Sequence, residues 1–167
     1  MSPTPTLPPA RFTDLLQRHR GILVKVAGSY AHRREDREDL VQEIAAQLWR
    51  AWPGYDPARP FSTWMYRIAL NVSISQLRGR NRAPALEAST GEVLEELPDP
   101  GTHDPEHAQQ VERLYHFIHA LPPLERALML LYLDERPHAE IAEVLGLSSS
   151  NVATKIGRLK ARLRNDL

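Results

Sequence analysis

Apolar side chains recur along most of the chain at intervals of three and four residues, the spacing that is typical of amphipathic α-helices. In the N-terminal half, the pattern covers residues 13 to about 32, about 36 to 52, and about 62 to 80. Pro53 and Gly54 end the second of these runs, because neither residue is favourable inside a helix. The alternating pattern of a β-strand is almost absent. The first half of the sequence therefore predicts three helices.

The same spacing returns after residue 106, where it predicts four further helices over 106–121, 124–133, 138–145 and about 149–164. Residues 84–106 lie between the two halves and contain four prolines, many acidic side chains and only scattered apolar ones. Such a composition favours a flexible linker without stable structure. Residues 1–9 are proline-rich, and we expect them to be disordered. The prediction is an all-α protein of two small helical domains, 10–83 and 107–167, joined by an acidic flexible linker over 84–106.

Charge is distributed unevenly, although the 167 residues carry no net charge. Residues 1–83 hold 13 basic and 7 acidic side chains (net +6), residues 84–112 hold 0 and 8 (net −8), and residues 113–167 hold 8 and 6 (net +2). Two basic segments thus flank an acidic one, and each presents its own field to a partner, because salt screens charge over about 8 Å. The charge pattern alone leaves open whether the acidic segment is simply a solvated linker.

The composition of the chain excludes several kinds of functional site and location. The chain has no cysteine, which excludes disulfides, thiolate zinc sites and cysteine nucleophiles. No apolar run is long enough for a membrane span, and the N-terminus lacks the basic and apolar regions of a signal peptide. We therefore expect a cytoplasmic protein.

Residues 138–164 have the spacing of a helix-turn-helix. Ala142 is small where two helices would cross, Gly146 suits the positive φ of the turn, and Ser148 or Ser149 can cap the second helix. In this motif the second helix enters the DNA major groove, with its N-terminal residues at the base edges. The alternative is an ordinary helical hairpin with a solvated charged face. The expected DNA-facing residues are Ser149, Ser150, Asn151, Thr154 and Lys155 near the bases, with Arg158, Lys160 and Arg162 on phosphates.

The second predicted helix carries an acidic and polar face beside its apolar stripe. Asp36, Asp39, Glu43 and Gln47 share this face. On an otherwise basic domain, such a face suits docking onto a basic helical partner. Acidic residues also favour the first turn of any helix, which accounts for Asp36 and Asp39 but not for the other two.

The third predicted helix interleaves aromatic and arginine side chains, a combination that can hold unstacked bases and follow a phosphate backbone. Aromatic residues at helical spacing more often belong to a core, so both interpretations stay open. The residues concerned are Phe61, Trp64, Tyr66, Arg67, Arg78, Arg80 and Arg82.

Three stretches in this order resemble an extracytoplasmic-function (group 4) bacterial sigma factor of the sigma-70 family: DREDLVQEIAAQLW, FSTWMYRIALNVSISQLRGRNR, and LPPLERALMLLYLDERPHAEIAEVLGLSSSNVATKIGRLKARLR. The resemblance covers nearly the whole chain outside the linker. It implies a region 2-like helical bundle that docks on core RNA polymerase and melts the −10 promoter element. It also implies a region 4-like helix-turn-helix that binds the −35 element.

The resemblance assigns each segment a partner. Asp36, Asp39, Leu40, Gln42, Glu43 and Gln47 would dock on the clamp helices of the polymerase β′ subunit. The −10 DNA would meet Tyr55, Phe61, Ser62, Thr63, Trp64, Tyr66, Arg67, Asn71, Gln76, Arg78, Arg80 and Arg82. The C-terminal domain would read the −35 element and rest against the β flap, while the acidic linker would thread the channel later taken by nascent RNA. Members of the family are often held by an anti-sigma factor, so a regulator of this kind is a further expected partner.

Some features limit what the resemblance implies. Ala153 and Gly157 depart from residues common in the family, so the −35 sequence preference cannot be transferred, and neither can the −10 preference of the proline-rich loop GYDPARP.

Two other classes of function fit the sequence less well. An enzyme would need a site such as a metal held by Asp36, Asp39 and Glu43, or by His103 and His107, but no nucleophile–base pair or phosphate loop is present. We therefore expect no catalytic residue, metal or cofactor. A stand-alone helix-turn-helix regulator would explain the C-terminal motif but would leave the acidic face and the aromatic–arginine helix without a role.

Overall fold

The structure, a computed structural model, describes residues 8–82 and 104–166, without the side chains of residues 80–82. The regular elements of these residues are all helical, so the predicted all-α class is confirmed. They are α1 (Pro9–Arg18), α2 (Arg20–Tyr30), α3 (Arg34–Ala51), a 3₁₀ turn (Trp52–Gly54), α4 (Phe61–Arg82), α5 (Pro105–Ala120), α6 (Pro123–Leu133), α7 (His138–Leu145) and α8 (Ser149–Asp166). The predicted linker lies almost entirely outside the described residues, as do residues 1–7.

The first helical run is divided, which corrects the prediction of one helix over residues 13–32. His19 adopts a non-helical conformation (φ −107°, ψ 19°) between α1 and α2, and its ring Nδ1 lies 2.9 Å from the carbonyl oxygen of Leu15. Periodicity alone did not reveal this break, because the apolar spacing continues across it. α1 also begins at Pro9, the last residue of the segment predicted to be disordered, because proline is favourable in the first turn of a helix.

The N-terminal domain is built around α2, α3 and α4, which pack against one another. Val26, Ile44, Leu48 and Met65 are all fully buried between them. Burial of such side chains contributes about 1.5–3 kcal/mol each. An aromatic group closes one end of this core, where the ring of Phe12 contacts Trp52 at 5.2 Å between centroids. The core therefore fixes the positions of the outer faces of α3 and α4.

The C-terminal domain packs α6, α7 and α8 around a second group of buried residues. Leu128, Leu131, Ile141 and Val152 are fully buried there. α5 precedes this group and packs on α6. Its N-terminus is capped by Asp104, whose side chain accepts a hydrogen bond from the backbone N–H of Glu106. This packing leaves the outer face of α8 open.

Candidate nucleic-acid and polymerase interfaces

The turn of the helix-turn-helix has the predicted geometry. Gly146 adopts a left-handed conformation with φ +69°, and the backbone N–H of Leu147 donates to the carbonyl oxygen of Ala142 at 3.0 Å. Ala142 is buried at the crossing of the helices. The hydroxyl of Ser148 accepts a hydrogen bond from the backbone N–H of Asn151 at 3.1 Å, which identifies Ser148 rather than Ser149 as the cap of α8. The start of α8 is therefore firmly oriented.

α8 separates an inward and an outward face. Val152, Ile156 and Leu159 are buried against α6 and α7. The predicted DNA-facing residues lie on the opposite side: Ser149, Ser150, Asn151, Thr154, Arg158 and Arg162 are exposed, and Lys155 is half-buried. The structure thus brings the hydroxyl, amide and cationic groups of this set together on one open helix surface.

Two of the predicted phosphate-binding cations contact rings of their own domain. The ammonium of Lys160 lies 5.3 Å from the ring centroid of Tyr132, and the guanidinium of Arg162 lies 6.0 Å from that of Phe117. Both contacts are cation–π interactions. In this arrangement the side chains of Lys160 and Arg162 lie against rings of their own domain. Among the described interactions, Arg158 has no such ring contact.

The loop before α4 is held by its own hydrogen bonds. The hydroxyl of Tyr55 donates to the carbonyl oxygen of Arg59 at 2.9 Å, and a carboxylate oxygen of Asp56 accepts from the backbone N–H of Ala58 at 3.0 Å. These contacts give the proline-rich segment a defined path at the N-terminus of α4.

The aromatic residues of the −10 set are mostly core residues, which corrects the picture of an open aromatic surface. Tyr55, Phe61 and Tyr66 are buried, with exposed fractions of 7%, 5% and 1%. Trp64 is half-buried, and its ring packs on Tyr55 at 5.0 Å between centroids. Burial of these rings stabilises the domain because each removes a large apolar area from water. Among the four, Trp64 alone offers part of its surface to a base in this arrangement.

The polar residues of the −10 set differ in exposure along α4. Arg67, Asn71 and Arg78 are exposed and Gln76 is half-buried. Ser62 and Thr63 are half-buried and already hydrogen-bonded to the C-terminal domain. The hydroxyl of Ser62 accepts from Arg136, and that of Thr63 donates to Glu140. The side chains of Arg80 and Arg82 lie outside those that the structure describes.

The docking face of α3 is largely available. Asp39 and Gln42 are exposed, and the half-buried Gln47 donates a hydrogen bond to the half-buried Glu43 at 3.3 Å. Asp36 is also half-buried. Leu40 is 2% exposed and packs in the core, so it cannot contact a partner here. Its helical spacing places it on the apolar stripe of α3 rather than on the acidic face.

A residue outside the predicted sites connects the two domains. Asp134, at the end of α6, accepts hydrogen bonds from Lys25 (3.0 Å), Tyr66 (2.7 Å) and Arg136 (2.9 Å). Although burial would raise the pKa of the Asp134 carboxyl, these three donors outweigh it and hold that pKa below its usual range. Burial and the same hydrogen bond raise the pKa of Tyr66. Tyr66 and Lys25 stand 68 and 109 residues away from Asp134 in sequence, so no local pattern could have revealed these two contacts.

Between the domains lies a groove of about 760 Å³. Its wall combines the loop before α4 with α7, and it includes Trp64, Arg67, Arg136 and Glu140. No group of three His, Asp or Glu side chains able to hold a metal ion is found within residues 8–82 and 104–166. Among the helices described, none has both the length and the apolar character needed to cross a bilayer.

The comparisons with known proteins agree with this geometry. The Sigma-70 region 2 family matches residues 15–83, and the Sigma-70 region 4 family matches residues 111–163. The chain is 30% identical to the RNA polymerase sigma factor CnrH of Cupriavidus metallidurans over 160 residues, covering 91% of this chain and 84% of CnrH. It is also 30% identical to the ECF RNA polymerase sigma-E factor of Haemophilus influenzae over 166 residues, covering 93% and 87%.

Solved structures show the same fold. RpoE of Bartonella quintana, in complex with the anti-sigma factor NepR, aligns with a TM-score of 0.76 at 18% identity and covers 93% of this chain and 96% of that one. CnrH, in complex with the cytosolic domain of CnrY, aligns with a TM-score of 0.65 at 26% identity, covering 92% and 85%. The resemblance read from the sequence is thereby confirmed: the chain belongs to the extracytoplasmic-function sigma factors of the sigma-70 family.

Proposed function

We propose that this chain binds core RNA polymerase and directs transcription initiation at a defined set of promoters. One observation carries the proposal: a region 2 domain and a region 4 domain occur in one chain, and the recognition helix of the second presents its polar and cationic face to solvent. A stand-alone regulator would have no use for the region 2 domain, so this alternative is not favoured.

The magnitude of DNA binding supports a role within a larger assembly. Four phosphate contacts from α8 would give a slope of about −3.6 for log K against log salt. One recognition helix without a dimer partner reads only a few base pairs, so its binding at physiological salt would be weak. Tethering to polymerase would raise the effective concentration of this domain at the −35 element.

The division of labour follows the two domains. The acidic face of α3 (Asp36, Asp39, Glu43 and Gln47) would dock on the β′ clamp helices. Trp64, the exposed residues of α4 and the loop before it would open the −10 element. The helix-turn-helix would bind the −35 element and rest against the β flap, with the acidic segment between the domains in the RNA channel.

No chemical step is part of this proposal. The chain would act by binding, melting and orienting DNA, and it would do so in the cytoplasm, where polymerase works. In the solved complexes, CnrH is bound to the cytosolic domain of CnrY, and RpoE is bound to the anti-sigma factor NepR. We propose that this chain, too, is held by an anti-sigma factor.

The direct test is run-off transcription with purified core polymerase on genomic fragments, followed by mapping of the RNA 5′ ends. We expect start sites that appear only when the chain is added and that share upstream elements. Binding to the mapped promoter is then compared with and without core enzyme. Specific nanomolar binding by the chain alone would favour the regulator instead, and unchanged start sites would refute the proposal.

Two sets of variants separate docking from melting. Asp39→Ala with Glu43→Ala should reduce co-purification with core enzyme, because both carboxylates lie on the open face of α3. Trp64→Ala should leave co-purification intact and reduce heparin-resistant open complexes, because it removes the half-exposed ring. Exposed Arg50, beyond the acidic face, provides a control as Arg50→Ala. Normal open complexes with the Trp64 variant would contradict the melting role.

A further inference from the structure

Aromatic rings form a continuous group at the end of the N-terminal core where α3 ends and α4 begins. α1, the 3₁₀ turn, the loop after it and α4 all contribute side chains, so the group joins segments that are separate in sequence. All of its members are buried except one, which is half-buried. We call this group the aromatic cluster and define it by Phe12, Trp52, Tyr55, Phe61 and Trp64.

Trp52 lies at the centre of the aromatic cluster. Its side chain is 4% exposed, and its ring stacks on that of Tyr55 with centroids 5.3 Å apart and planes 16° apart. Phe12 packs against it at 5.2 Å, and the ring of Trp64 meets it edge-on at 6.2 Å. Phe61 also meets it edge-on, at 6.5 Å. These are the arrangements that aromatic pairs prefer, so neighbours on several sides fix the orientation of Trp52.

Trp64 is enclosed by the cluster on one side and open on the other. In addition to Trp52, its ring packs on Tyr55 at 5.0 Å and on Phe61 at 5.4 Å between centroids. The rest of the side chain is accessible, since Trp64 is only half-buried. Close-packed neighbours leave a ring little freedom to change rotamer. The accessible part of Trp64 is therefore presented in one orientation.

The backbone of Trp52 connects this ring system to α3. Its N–H donates to the carbonyl oxygen of Trp49 at the end of the helix, and its carbonyl oxygen accepts from the N–H of Tyr55 at 3.0 Å. α3 has 18 residues, which corresponds to about 27 Å, and it carries the acidic face proposed to dock on polymerase. Contacts through Trp52 thus place the ring of Trp64 at a fixed position relative to that face.

We propose that Trp52 is a positioning residue for promoter melting. It holds the ring of Trp64 in one orientation relative to α3, so that a base unstacked from the −10 element meets a platform that is already formed. Trp52 is buried and would not touch DNA itself. The inference rests on the proposed function, and it assigns a role to a residue outside the predicted polymerase and DNA sites.

A purely structural role for Trp52 makes different predictions. In that case its loss would act only through the stability of the domain, as would the loss of any other core residue, and it would not depend on Trp64. Ile44 provides the matched control, because it is fully buried on the same helix and lies outside the aromatic cluster. Trp52→Leu is therefore compared with Ile44→Ala, at a temperature where circular dichroism shows both variants to be folded. Trp52→Phe keeps an aromatic ring and tests for rescue.

The first measurement concerns the free chain and needs no partner. Nitrogen-15 relaxation of the three tryptophan indole N–H groups gives an order parameter for each ring, and the loss of one signal in Trp64→Phe assigns Trp64. We expect a value of about 0.85 for Trp64 in the wild type and in Ile44→Ala, and a value below about 0.6 in Trp52→Leu.

The second measurement concerns promoter opening with core polymerase. The rate at which heparin-resistant complexes form is recorded at several holoenzyme concentrations, which separates the promoter binding constant from the rate of opening. Trp52→Leu should slow opening by about threefold to tenfold, because a mobile ring must then be immobilised on the base. The binding constant should not change, Trp52→Phe should recover most of the rate, and Ile44→Ala should open promoters at the wild-type rate.

A double variant tests whether Trp52 acts through Trp64. In the Trp64→Ala background the ring to be positioned is absent, so adding Trp52→Leu should slow opening no further. If Trp52→Leu folds poorly, Phe12→Leu removes the ring behind Trp52 and should produce a smaller effect in the same direction in both measurements.

Three results would overturn the positioning role. They are a Trp64 ring that stays rigid in Trp52→Leu, a slowing by Ile44→Ala equal to that by Trp52→Leu, and an effect of Trp52→Leu that persists undiminished in the Trp64→Ala background. Failure of the wild type to form complexes with core polymerase would instead refute the proposed function. The order parameters of the free chain would still decide whether Trp52 holds Trp64.

Discussion

Replacement of Arg126 by methionine should destabilise the protein strongly. The side chain is 5% exposed, and its guanidinium donates to the carbonyl oxygens of Ser29 (2.9 Å), His119 (2.8 Å) and Leu121 (3.0 Å). These carbonyls lie at the C-terminal ends of α2 and α5, where backbone acceptors lack helical partners and a cation is favourable. The guanidinium also lies 5.3 Å from the ring centroid of Tyr30. One side chain therefore serves two helix ends in two domains.

The magnitude follows from the acceptors that would lose their donor. A buried polar group left without a partner costs about 1–3 kcal/mol. Three such groups, offset by the relief of a buried guanidinium whose own burial lowers its pKa, give an expected loss of about 3–5 kcal/mol. For a chain of this size the loss corresponds to a fall in melting temperature of about 10 °C.

The assay is urea unfolding at pH 7 followed by circular dichroism at 222 nm. Arg113→Met, at an exposed position of α5, is the control and should change the free energy of unfolding by no more than about 0.5 kcal/mol. Arg126→Lys should recover only part of the loss, because an ammonium cannot reproduce the planar arrangement of donors. A loss below about 1 kcal/mol for Arg126→Met would refute the assignment of this residue as a shared helix cap.

Three further predictions concern the helix-turn-helix and the domain boundary. Gly146→Ala should lower the free energy of unfolding by about 1–2 kcal/mol, because its φ of +69° disfavours a Cβ, whereas Gly157→Ala inside α8 should raise it by up to about 1 kcal/mol; thermal unfolding measures both. Burial lowers the pKa of His119 to about 3, and the positive charges of His32 and Arg126 add to this effect. The folded state therefore binds a proton at His119 more weakly than the unfolded state does. The stability that His119 contributes should therefore be fully present above pH about 6.5 and should be lost as the pH falls toward 3. His119→Gln should accordingly reduce the difference between the urea midpoints measured at pH 7.5 and at pH 5.5. Lys155→Ala and Arg158→Ala should each reduce the salt slope of binding to the mapped −35 duplex by about 0.9, measured by fluorescence-labelled duplex titration.

Each of these three has a contrary outcome. Equal effects at the two glycines would show that backbone strain does not distinguish them. Identical pH profiles for the wild type and the His119 variant would place the acid sensitivity elsewhere. An unchanged salt slope for the Arg158 variant would mean that this side chain meets no phosphate.

The helix-turn-helix could be predicted almost completely from the sequence. The helices over 138–145 and from 149 onward begin and end as expected, because Pro137, Gly146 and Ser148 act through local geometry. Local backbone preferences of this kind are visible in a short window of sequence. The break at His19 was not, because its causes are a hydrogen bond within the turn and packing against the rest of the domain.

The candidate −10 surface was less predictable for a different reason. Aromatic spacing alone does not distinguish a ring that stacks on a base from one that packs in a core, and Phe61 and Tyr66 proved to be core residues while Trp64 is partly exposed. The contacts of Asp134 and Arg126 across the domain boundary depend on tertiary placement. They join residues 68 to 109 positions apart, and no periodic pattern encodes such pairs.

The aromatic packing at one end of the N-terminal core has a spectroscopic consequence. All three tryptophans of the chain, Trp49, Trp52 and Trp64, belong to that domain, and the ring of Trp52 lies within 6.2 Å of Trp64. The indole emission of the unlabelled protein therefore arises from this half of the molecule alone. A nucleobase stacking on Trp64 would quench part of that emission, whereas duplex bound by the helix-turn-helix would contact no tryptophan and would not quench it. The order of the two binding events can therefore be followed in native protein.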